Sequence, residues 1–371
     1  MIVHIITGLG DGGAEGVLYR LCKHDMECCH VVISLMQGGQ YAAPLRELGV
    51  PVHELGLKRG RIGPGAVLRL RGLLKQYKPD VVQTWLYHAD LLGGTVARLM
   101  GVPHVSWGIR HGELAPGKTK RMTIAIAHLC ARLSRRVPHA IVSCSFAARD
   151  IHVRLGYDAA KFRVIPNGYE IDKLVPDLEA RKAFRSELAI AEDVPLLGMV
   201  SRFHPQKDHP NLFQALALLA REGRKFQVAL VGTGMTVDNE ALMALAGRLG
   251  VLDRIHMLGR RNDVVRVMNG LDLHVLSSAS EGFPNVAAEA MFCGTPCVVT
   301  RTGDSALVAG PTGWVAEPGD PVALASAIAK GLDAIGDAPA WQQRKAAARR
   351  YVLGRFSIGT MVAAYHRCWD E

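Results

Sequence analysis

The most informative stretch reads SEGFPNVAAEA, from Ser280 to Ala290, and it follows the apolar run 273–276, which is typical of a buried strand. Pro284 fits the first position of a helix, where its fixed φ is helical and its missing N–H costs nothing. Glu281 is therefore predicted in the loop and Glu289 inside the helix. Carboxylates suit sugar hydroxyls, and the free amides at a helix start suit phosphate, so this strand end predicts a ligand that carries both.

Strands and helices alternate outward from this stretch in both directions, which is the pattern of parallel α/β sheets. Strands are predicted over 2–7, 30–35, 52–55, 81–85, 104–107, 140–144 and 164–166, and in a second series over 196–201, 227–231, 255–258, 273–276, 297–300 and 313–315. The expected fold class is therefore α/β, with two doubly wound domains facing across a cleft. Ligands in such sheets bind beyond the carboxyl ends of the strands.

A polar and charged stretch over 172–193 predicts a linker between two domains. Two domains are expected because a chain of 371 residues is longer than one core usually serves. Residues 1–172 would form the first domain and 173–350 the second. Residues 351–371 would form a C-terminal helix that packs back on the first domain.

The composition excludes several classes of protein. Hydrophobic residues make up 49% and charged residues 21%, as in folded soluble domains. No apolar stretch is long enough to span a bilayer, and the first residues lead directly into a strand, so no signal peptide is expected. The eight cysteines show no metal-ligand spacing. Buried thiols in a reducing cytosol are therefore favoured over disulfides.

Positive charge is concentrated in residues 56–136, which contain 15 Lys/Arg and three Asp/Glu in a chain of net charge +10. Within this block, 67–78 mixes apolar and basic positions like an amphipathic helix. An ordinary surface helix would explain that segment alone, but a whole basic block predicts an anionic partner. Anionic lipid headgroups and a pyrophosphate-linked acceptor both fit. Nucleic acid is not expected, because no binding motif is present.

The first predicted strand ends in GLGDGGAE, in which Gly8, Gly10 and Gly13 match G-x-G-x-x-G. A dinucleotide site would need an acidic residue at the end of the second strand, and that strand runs into 34–37, Ser-Leu-Met-Gln. The dehydrogenase interpretation is therefore disfavoured. A tight turn and a glycine loop that approaches phosphate both remain open.

Basic and glycine-rich groups follow the strands of the second domain. Arg202 and Lys207 come after its first strand, where two cations could neutralise a diphosphate. Gly232 and Gly234 come after the next strand, where bare backbone can approach a flat base, and 258–261 follows the third. Solvated surface charge would explain Arg202 and Lys207 alone, but the ordered set at successive strand ends favours a nucleotide site.

With these residues the chain resembles the retaining GT-B glycosyltransferases of the family called GT4. The resemblance is carried by G-G-A-E at Gly12 to Glu15, Ser201-Arg202-Phe203 with Lys207, G-x-G at Gly232 and Gly234, and E-G-F-P-N-x-x-x-E at Glu281 to Glu289. It covers nearly all of the chain. It implies the GT-B fold and transfer of a sugar from a nucleoside diphosphate sugar, with UDP as the expected nucleotide.

The resemblance also implies a role for each charged residue of the site. Arg202 and Lys207 would bind the donor diphosphate and stabilise the charge that builds on it as it leaves. Glu289 would hold the ribose hydroxyls, and Glu281 would contact the transferred sugar. His111, after the fifth strand of the first domain, would stand beside the reacting sugar; a loop histidine without a role is the alternative.

Backbone and glycine positions would complete the binding of the nucleotide sugar. By the resemblance they are Gly12, Gly13, Gly232, Gly234, Arg261, Phe283, Asn285 and Val286, with the base near Gly232 and Arg261. His204 and His209, near the donor loop, would at most support the residues that touch the ligand. Trp85, Tyr87 and His88 could line an acceptor site, with core packing the equal alternative for Trp85.

The leading interpretation is a retaining, metal-independent glycosyltransferase that needs no cofactor besides its donor substrate. Its acceptor would be a glycan or polyprenyl-linked glycan in cell-surface polysaccharide biosynthesis. No Asp-x-Asp motif stands at a strand end, so no metal ligand is expected there. A UDP-sugar 2-epimerase of the same fold and a non-catalytic sugar- or lipid-binding protein are the alternatives. The expected location is cytoplasmic and peripheral on the inner face of the membrane, through residues 56–136.

Overall fold

A computed structural model describes residues 1–57, 63–110, 114 and 119–371. The chain divides into two compact units, one formed by residues 1–168 with 358–371 and the other by residues 169–357. The predicted boundaries lie a few residues away from these. At the second boundary the difference has a simple cause: the helix that was expected to belong to the first domain from residue 351 runs on in the second unit to Phe356.

Thirteen strands form two sheets among the described residues. They are β1 (Ile2–Ile6), β2 (His30–Ser34), β3 (Val52–Glu54), β4 (Val81–Trp85), β5 (His104–Ile109), β6 (Ala140–Ser143), β7 (Phe162–Val164), β8 (Leu196–Val200), β9 (Gln227–Val231), β10 (Ile255–Met257), β11 (Leu273–Leu276), β12 (Cys297–Thr300) and β13 (Trp314–Ala316). The first unit has the order β3-β2-β1-β4-β5-β6-β7, and the second β10-β9-β8-β11-β12-β13.

Helices connect the strands. They are α1 (Gly13–His24), α2 (Ala42–Glu47), α3 (Pro64–Tyr77), α4 (Tyr87–Ala89), α5 (Thr95–Leu99), α6 (Arg121–Leu133), α7 (Phe146–Arg154), α8 (Leu178–Glu187), α9 (His209–Arg221), α10 (Glu240–Leu249), α11 (Val264–Gly270), α12 (Asn285–Phe292), α13 (Ser305–Ala309), α14 (Pro321–Ile335), α15 (Ala338–Phe356) and α16 (Ile358–Asp370). Among the described residues, no helix combines the length and apolar character that crossing a bilayer requires.

Both sheets are entirely parallel, and both are doubly wound. The first strand of each sheet lies in its interior, with β1 between β2 and β4 and β8 between β9 and β11. The direction in which strands are added therefore reverses at β1 and at β8. Ligands of such sheets bind at this reversal, beyond the carboxyl ends of the strands. The predicted α/β class and the two doubly wound sheets are confirmed.

The stretch predicted as a linker is instead part of the second unit. It contains α8, in which Phe184 is fully buried and Arg185 is only 1% exposed. Arg181 and Arg185 bind the two carboxylate oxygens of Asp272 at 2.9 and 3.1 Å. The charged residues that suggested a solvated connection therefore form ion pairs, two of them in the interior, which sequence composition does not distinguish from surface charge.

The last helix, α16, belongs to the first unit and packs against α1. Its Tyr365 and Trp369 are buried, and the Tyr365 ring lies 5.9 Å from that of Trp85. The Trp369 indole donates to Gln83 Oε1 at 3.2 Å. The predicted return of the C-terminal segment to the first domain thus applies to α16.

Candidate functional site

The carboxyl ends of β8 and β11 bring Lys207 and Glu281 together. Lys207 closes a short turn after β8, and Glu281 lies in the loop between β11 and α12. Lys207 Nζ lies 2.5 Å from Glu281 Oε1, and their side chains are 19% and 10% exposed. Because β8 and β11 are neighbours at the point where the sheet reverses, this ion pair stands where a doubly wound sheet binds its ligand.

Three further residues fix the Glu281 loop. Ser278 Oγ donates to Glu281 Oε1 at 2.6 Å, so this oxygen accepts from both the hydroxyl and the ammonium. Gly303 has φ +53, and a Cβ there would lie 2.4 Å from the Glu281 carbonyl oxygen. The amide of Asp304 donates to Gly282 O at 3.0 Å. The motif did not reveal these supports because Ser278 lies before it and the other two follow the next strand.

The Lys207 turn is fastened to β11 by backbone contacts. Ser277 Oγ donates to Lys207 O at 2.9 Å and to Asp208 O at 3.1 Å. The Ala279 amide donates to Gln206 O at 2.8 Å. Asp208, with φ +48, accepts from the Asn211 amide and so caps α9. The loops that carry Lys207 and Glu281 are therefore held together independently of the ion pair.

Two buried histidines lie near Lys207 and are neutral at neutral pH. Burial and then the Lys207 charge lower the pKa of His209 to about 4 and that of His274 to about 3. His209 Nε2 lies 3.4 Å from Ser201 Oγ, and His274 Nε2 accepts from the Val200 amide. His204 accepts from the Gln206 amide in the same way. His204 and His274 thus bind backbone amides of the site and His209 contacts a side chain; the expected supporting role of His204 and His209 stays a prediction.

Arg202 is exposed and forms no ion pair with any residue in the described part of the chain. It lies two residues after the end of β8 and five residues before Lys207 in the sequence. Its charge is therefore available to an anion at the same strand end. A second positive charge on the loop that carries Lys207 suits a diphosphate.

The glycines after β9 are required by the protein's own packing. Gly232 has φ +141, and a Cβ there would lie 1.9 Å from the Ser201 carbonyl oxygen. Gly234 has φ +81, and its Cβ would lie 2.8 Å from Phe203 Cβ. These glycines thus allow the loop after β9 to approach the loop after β8 closely. Their predicted approach to a nucleotide base stays a prediction.

The helix that carries Glu289 begins one residue later than predicted, at Asn285, and Pro284 is its N-cap with φ −81 and ψ 83. The Asn285 amide is already used, since it donates to Phe283 O at 3.1 Å. The amides of Phe283 and Val286 donate to no backbone carbonyl of the described residues. Two of the three predicted backbone donors therefore remain available to a ligand.

Glu289 lies inside α12 and is half-buried. Burial and then the negative charge of Glu289 raise the pKa of Cys293, one turn further along, to about 12. The Asn285 side chain at the start of the same helix accepts from the Tyr169 hydroxyl at 2.5 Å. Glu281 in the loop and Glu289 in the helix thus occupy the predicted elements.

Arg261 is held by acidic neighbours of its own unit. Its guanidinium contacts Glu187 at 2.5 Å and Asp263 at 2.7 Å, and it lies over the Phe184 ring at 5.4 Å. Hydrogen bonds to the two carboxylates raise its pKa. The predicted position of a base beside Arg261 stays a prediction. The positive charge of Arg261 is already paired with Glu187 and Asp263.

Gly12 and Gly13, two glycines predicted to bind the donor, lie at the start of α1. Gly12 caps α1 in an extended conformation, and a Cβ there would collide with the Glu15 carboxylate at 2.2 Å. Gly13 is exposed, with open space around its Cα. Burial raises the pKa of Glu15. His111 lies outside the described residues, so its role stays a prediction.

The aromatic residues after β4 belong to the core. Trp85 is fully buried and donates from Nε1 to His4 Nδ1 at 3.2 Å. The Tyr87 hydroxyl contacts His152 Nε2 at 2.6 Å, and its ring is buried. Core packing, the alternative considered for Trp85, is therefore correct. His88 is half-buried, and burial lowers its pKa.

Comparison with known proteins supplies the family. Residues 11–173 match the family described as Glycosyltransferase Family 4, and residues 194–334 match Glycosyl transferases group 1. A D-inositol 3-phosphate glycosyltransferase of Geodermatophilus obscurus is 30% identical over 82% of this chain and 70% of its own. The UDP-Gal:alpha-D-GlcNAc-diphosphoundecaprenol alpha-1,3-galactosyltransferase of Escherichia coli is 28% identical over 66% of this chain. That match spans only 63% of the length of the E. coli enzyme.

The fold has counterparts among solved structures. HepE from Anabaena, solved in complex with UDP, has a TM-score of 0.84 and 22% sequence identity, covering 100% of this chain and 99% of its own. This likeness shows the GT-B fold that the sequence predicted. The match to Glycosyltransferase Family 4 and the relative that is 30% identical over 82% of this chain and 70% of its own show that the protein belongs to glycosyltransferase family 4.

Proposed function

We propose that this protein transfers a sugar from a UDP-sugar, with retention at the anomeric carbon, to a glycan or polyprenyl-linked glycan of cell-surface polysaccharide biosynthesis. The observation that carries the proposal is the Lys207–Glu281 ion pair at the reversal point of the second sheet. Arg202, which forms no ion pair with another described residue, lies on the same loop as Lys207. The pair supplies a cation and a carboxylate at one strand end, and the donor has a diphosphate beside a sugar.

The ion pair prepares both groups for the donor. When the diphosphate arrives, its oxygens compete with Glu281 for Lys207, and Arg202 supplies the second cation. Glu281 keeps its bond from Ser278 and is then free to accept from hydroxyls of the transferred sugar. Negative charge builds on the diphosphate as the glycosidic bond breaks, and cations already in place stabilise it without rearrangement.

No catalytic metal is needed in this proposal, because Arg202 and Lys207 provide the positive charge that a divalent ion supplies elsewhere. Glu289 would bind the ribose hydroxyls, and the amides of Phe283 and Val286 would bind phosphate or sugar at the start of α12. Neither glutamate transfers a proton. They stand on one loop-helix unit, whereas hydrolytic carboxylates face each other across a glycosidic bond.

Two relatives support the choice of donor and acceptor. The E. coli enzyme is named for UDP-Gal as donor and a diphosphoundecaprenol-linked GlcNAc as acceptor. HepE was solved with UDP. A pyrophosphate-linked acceptor also agrees with the basic character of residues 56–136.

An exposed face of α6 supports contact with an anionic membrane surface, where such an acceptor resides. Met122 is 63% and Leu129 43% exposed, and the exposed Arg121 and Arg132 lie on the same helix. Apolar side chains flanked by arginine suit the boundary of an anionic bilayer. We place the working enzyme in the cytoplasm, at the inner face of the membrane.

A donor screen tests the central proposal. UDP-, GDP- and ADP-sugars are compared for thermal stabilisation, and stabilising donors are then incubated after exhaustive chelation of metals, with and without polyprenyl-diphosphate glycans. We expect a UDP-sugar to be consumed without metal and the anomeric configuration to be kept in the product by NMR. Release of UDP with a C2-epimerised sugar and no acceptor would instead identify an epimerase. Binding without turnover of any donor would identify a binding protein.

Vesicle co-sedimentation tests the membrane contact. Binding should rise with the anionic lipid fraction and fall when Arg121 and Arg132 are both changed to Glu. The matched control changes Arg221 and Arg248, exposed on α9 and α10 of the second unit, both to Glu, which alters the net charge by the same amount. Sedimentation that does not depend on anionic lipid would contradict this part of the proposal.

A further inference from the structure

A cluster of metal-ligating side chains lies in the first unit, at the turn between α1 and β2. The ligand atoms of Asp25, Cys28 and His366 all lie within 4.8 Å of one another. Asp25 Oδ2 is 2.8 Å from His366 Nε2, and Cys28 Sγ is 4.0 Å from the same nitrogen. The Asp25 side chain is fully buried, and the other two are half-buried, which leaves a route from solvent.

The cluster is close in size to a tetrahedral metal site. Bonds of about 2.0 Å to oxygen and nitrogen and 2.3 Å to sulfur place tetrahedral ligands about 3.3–3.6 Å apart. Binding an ion would therefore open the Asp25–His366 contact of 2.8 Å and close the Cys28–His366 contact of 4.0 Å, each by about 0.5 Å. A carboxylate, an imidazole and a thiolate together form a donor set of mixed hardness, which suits Zn²⁺ better than Mg²⁺ or Ca²⁺.

His30 lies beside the cluster. Its side chain is only 3% exposed, and its Nε2 lies 3.2 Å from Asp25 Oδ2. The geometry of that contact is not that of a hydrogen bond, and Nε2 has no other partner among the described residues. A buried nitrogen therefore faces the Asp25 carboxylate without a satisfactory bond.

Hydrogen bonds link His30 to His4 and His4 to Trp85, and their directions indicate the role of His30. Trp85 Nε1 can only donate, so His4 Nδ1 accepts from it at 3.2 Å. Burial lowers the pKa of His4 well below its usual range, so the ring is neutral and its proton is on Nε2. That proton points to His30 Nδ1, at 3.0 Å. His30 Nδ1 accepts this bond and its Nε2 faces Asp25, so His30 is not counted among the proposed ligands.

His366 has the opposite arrangement. Its Nδ1 lies 3.4 Å from Glu27 Oε2, which favours a proton on Nδ1. The lone pair of Nε2 then faces Asp25 and Cys28. A histidine whose second nitrogen is held by a carboxylate is the usual form of a metal-binding imidazole.

We propose that Asp25 Oδ2, Cys28 Sγ and His366 Nε2 bind one Zn²⁺ ion, with water as the fourth ligand, and that this ion fastens α16 to the α1–β2 turn. The site stands at the amino end of β2, whereas the predicted nucleotide loops follow the carboxyl ends of strands. The ion is therefore structural and independent of the proposed transferase chemistry. Cys28 and His366 are 338 residues apart, which is why no ligand spacing appears in the sequence.

Metal titration of the full chain tests the site. The purified protein is stripped with a chelator and titrated with Zn²⁺ against a chromogenic competitor, and with Co²⁺ for its absorption spectrum. We expect one tightly bound Zn²⁺ per chain, and with Co²⁺ a thiolate charge-transfer band and the intense visible bands of tetrahedral coordination. Zn²⁺ should also raise the melting temperature, since it binds the folded chain.

Cys28→Ser and His366→Gln each remove one ligand and should weaken binding by more than the about 10–100-fold that loss of an outer partner costs. Cys29→Ser is the matched control, because Cys29 is the exposed neighbour of Cys28 and belongs to no ligand group. It should keep affinity, spectrum and thermal shift. If His366→Gln fails to fold, Cys28→Ser decides, since it changes one half-exposed atom. Equal binding by Cys28→Ser and the parent, or no tight Zn²⁺ at all, would overturn the proposal.

Discussion

Lys207 and Glu281 are 74 residues apart in sequence and form an ion pair at 2.5 Å across the carboxyl ends of two neighbouring strands. The loops that carry them are also joined by the bonds of Ser277 and Ala279 to backbone carbonyls. The pair is therefore not needed to hold the loops together. Its position is better explained by a ligand that needs a cation and a carboxylate at one point.

Replacing Lys207 with Ala should reduce kcat/KM for the donor by about 10–100-fold, which corresponds to the ~1.5–3 kcal/mol of one charge-assisted contact. Glu281→Gln keeps the bond from Ser278 and should reduce turnover of the sugar more than affinity for free UDP. The control is Lys182→Ala, which breaks an exposed pair with Glu179 at 3.0 Å in the same unit. Steady-state kinetics and UDP titration measure both. Unchanged turnover in Lys207→Ala and Glu281→Gln would show that the site is elsewhere.

Gly232→Ala should destabilise the second unit, because its Cβ would lie 1.9 Å from Ser201 O at φ +141. Strain of this kind costs ~1–3 kcal/mol, so the melting temperature should fall by at least about 2–4 °C. Gly247→Ala is the control, since Gly247 is exposed in α10 with nothing within 4 Å. It should be neutral or stabilising by up to ~1 kcal/mol. Equal melting temperatures for the two variants would contradict the close approach of the loops.

Asp272→Ala should lower the free energy of unfolding by about 3–5 kcal/mol, because it leaves Arg185, 1% exposed, without its buried counter-charge. It also removes the acceptor of the Leu196 amide, at 2.8 Å. The matched control is Glu192→Ala. Glu192 contacts Arg181 and Arg185 at 3.1 and 3.6 Å but is 59% exposed, and its loss should cost less than about 1 kcal/mol. Denaturant unfolding of both variants gives the comparison, and similar losses would be the contrary result.

The stability of the first unit should fall as the pH rises through the range in which Asp90 ionises. Burial raises the pKa of Asp90 to about 8 from its ordinary 3.8, despite hydrogen bonds from Thr84 and Gly108. The folded state thus holds a proton that the unfolded state has lost, and the Asp90 contribution to stability, complete below pH 3.8, disappears as the pH rises to about 8. Asp90→Asn cannot ionise and should make unfolding less dependent on pH between these values.

The control for that measurement is Asp80→Asn. Asp80 is an exposed carboxyl whose pKa is lowered by its bond to the N-terminal ammonium, so its titration lies below this range. Unfolding free energies from pH 4 to 8 should keep the parent slope in this variant. An unchanged slope in Asp90→Asn would show that the carboxyl is ionised in the folded protein.

The strands could be predicted from sequence because those of parallel sheets are buried on both faces and form short apolar runs. β4, β9, β11 and β12 have the predicted bounds, while β7 begins and ends two residues earlier than expected. Glu281 and Glu289 lie in the predicted loop and helix. The strand before them and Pro284 together limited where the loop could end and the helix could begin. Pro284 itself lies just outside the helix, where its fixed φ is equally tolerated.

Contacts between distant segments could not be predicted in the same way. The charged stretch 172–193 does not indicate that Arg185 will form an ion pair with Asp272. Its composition alone therefore suggested a linker. The sequence around Arg261 does not indicate that its guanidinium will form an ion pair with Glu187. In each case the packing of the helices on the sheet determines which residue is the partner. The spacing of residues along the chain does not indicate it.

The place of α16 in the first unit has a consequence for biosynthesis. Residues 1–168 leave the ribosome first, but the helix that covers Trp85 with Tyr365 is made only after the whole second unit. The second unit is continuous in sequence and can fold as soon as it emerges, whereas the first must wait with part of its apolar core uncovered. Exposed apolar surface on a nascent chain promotes aggregation. The earlier-synthesised half is therefore the one expected to need chaperones during translation.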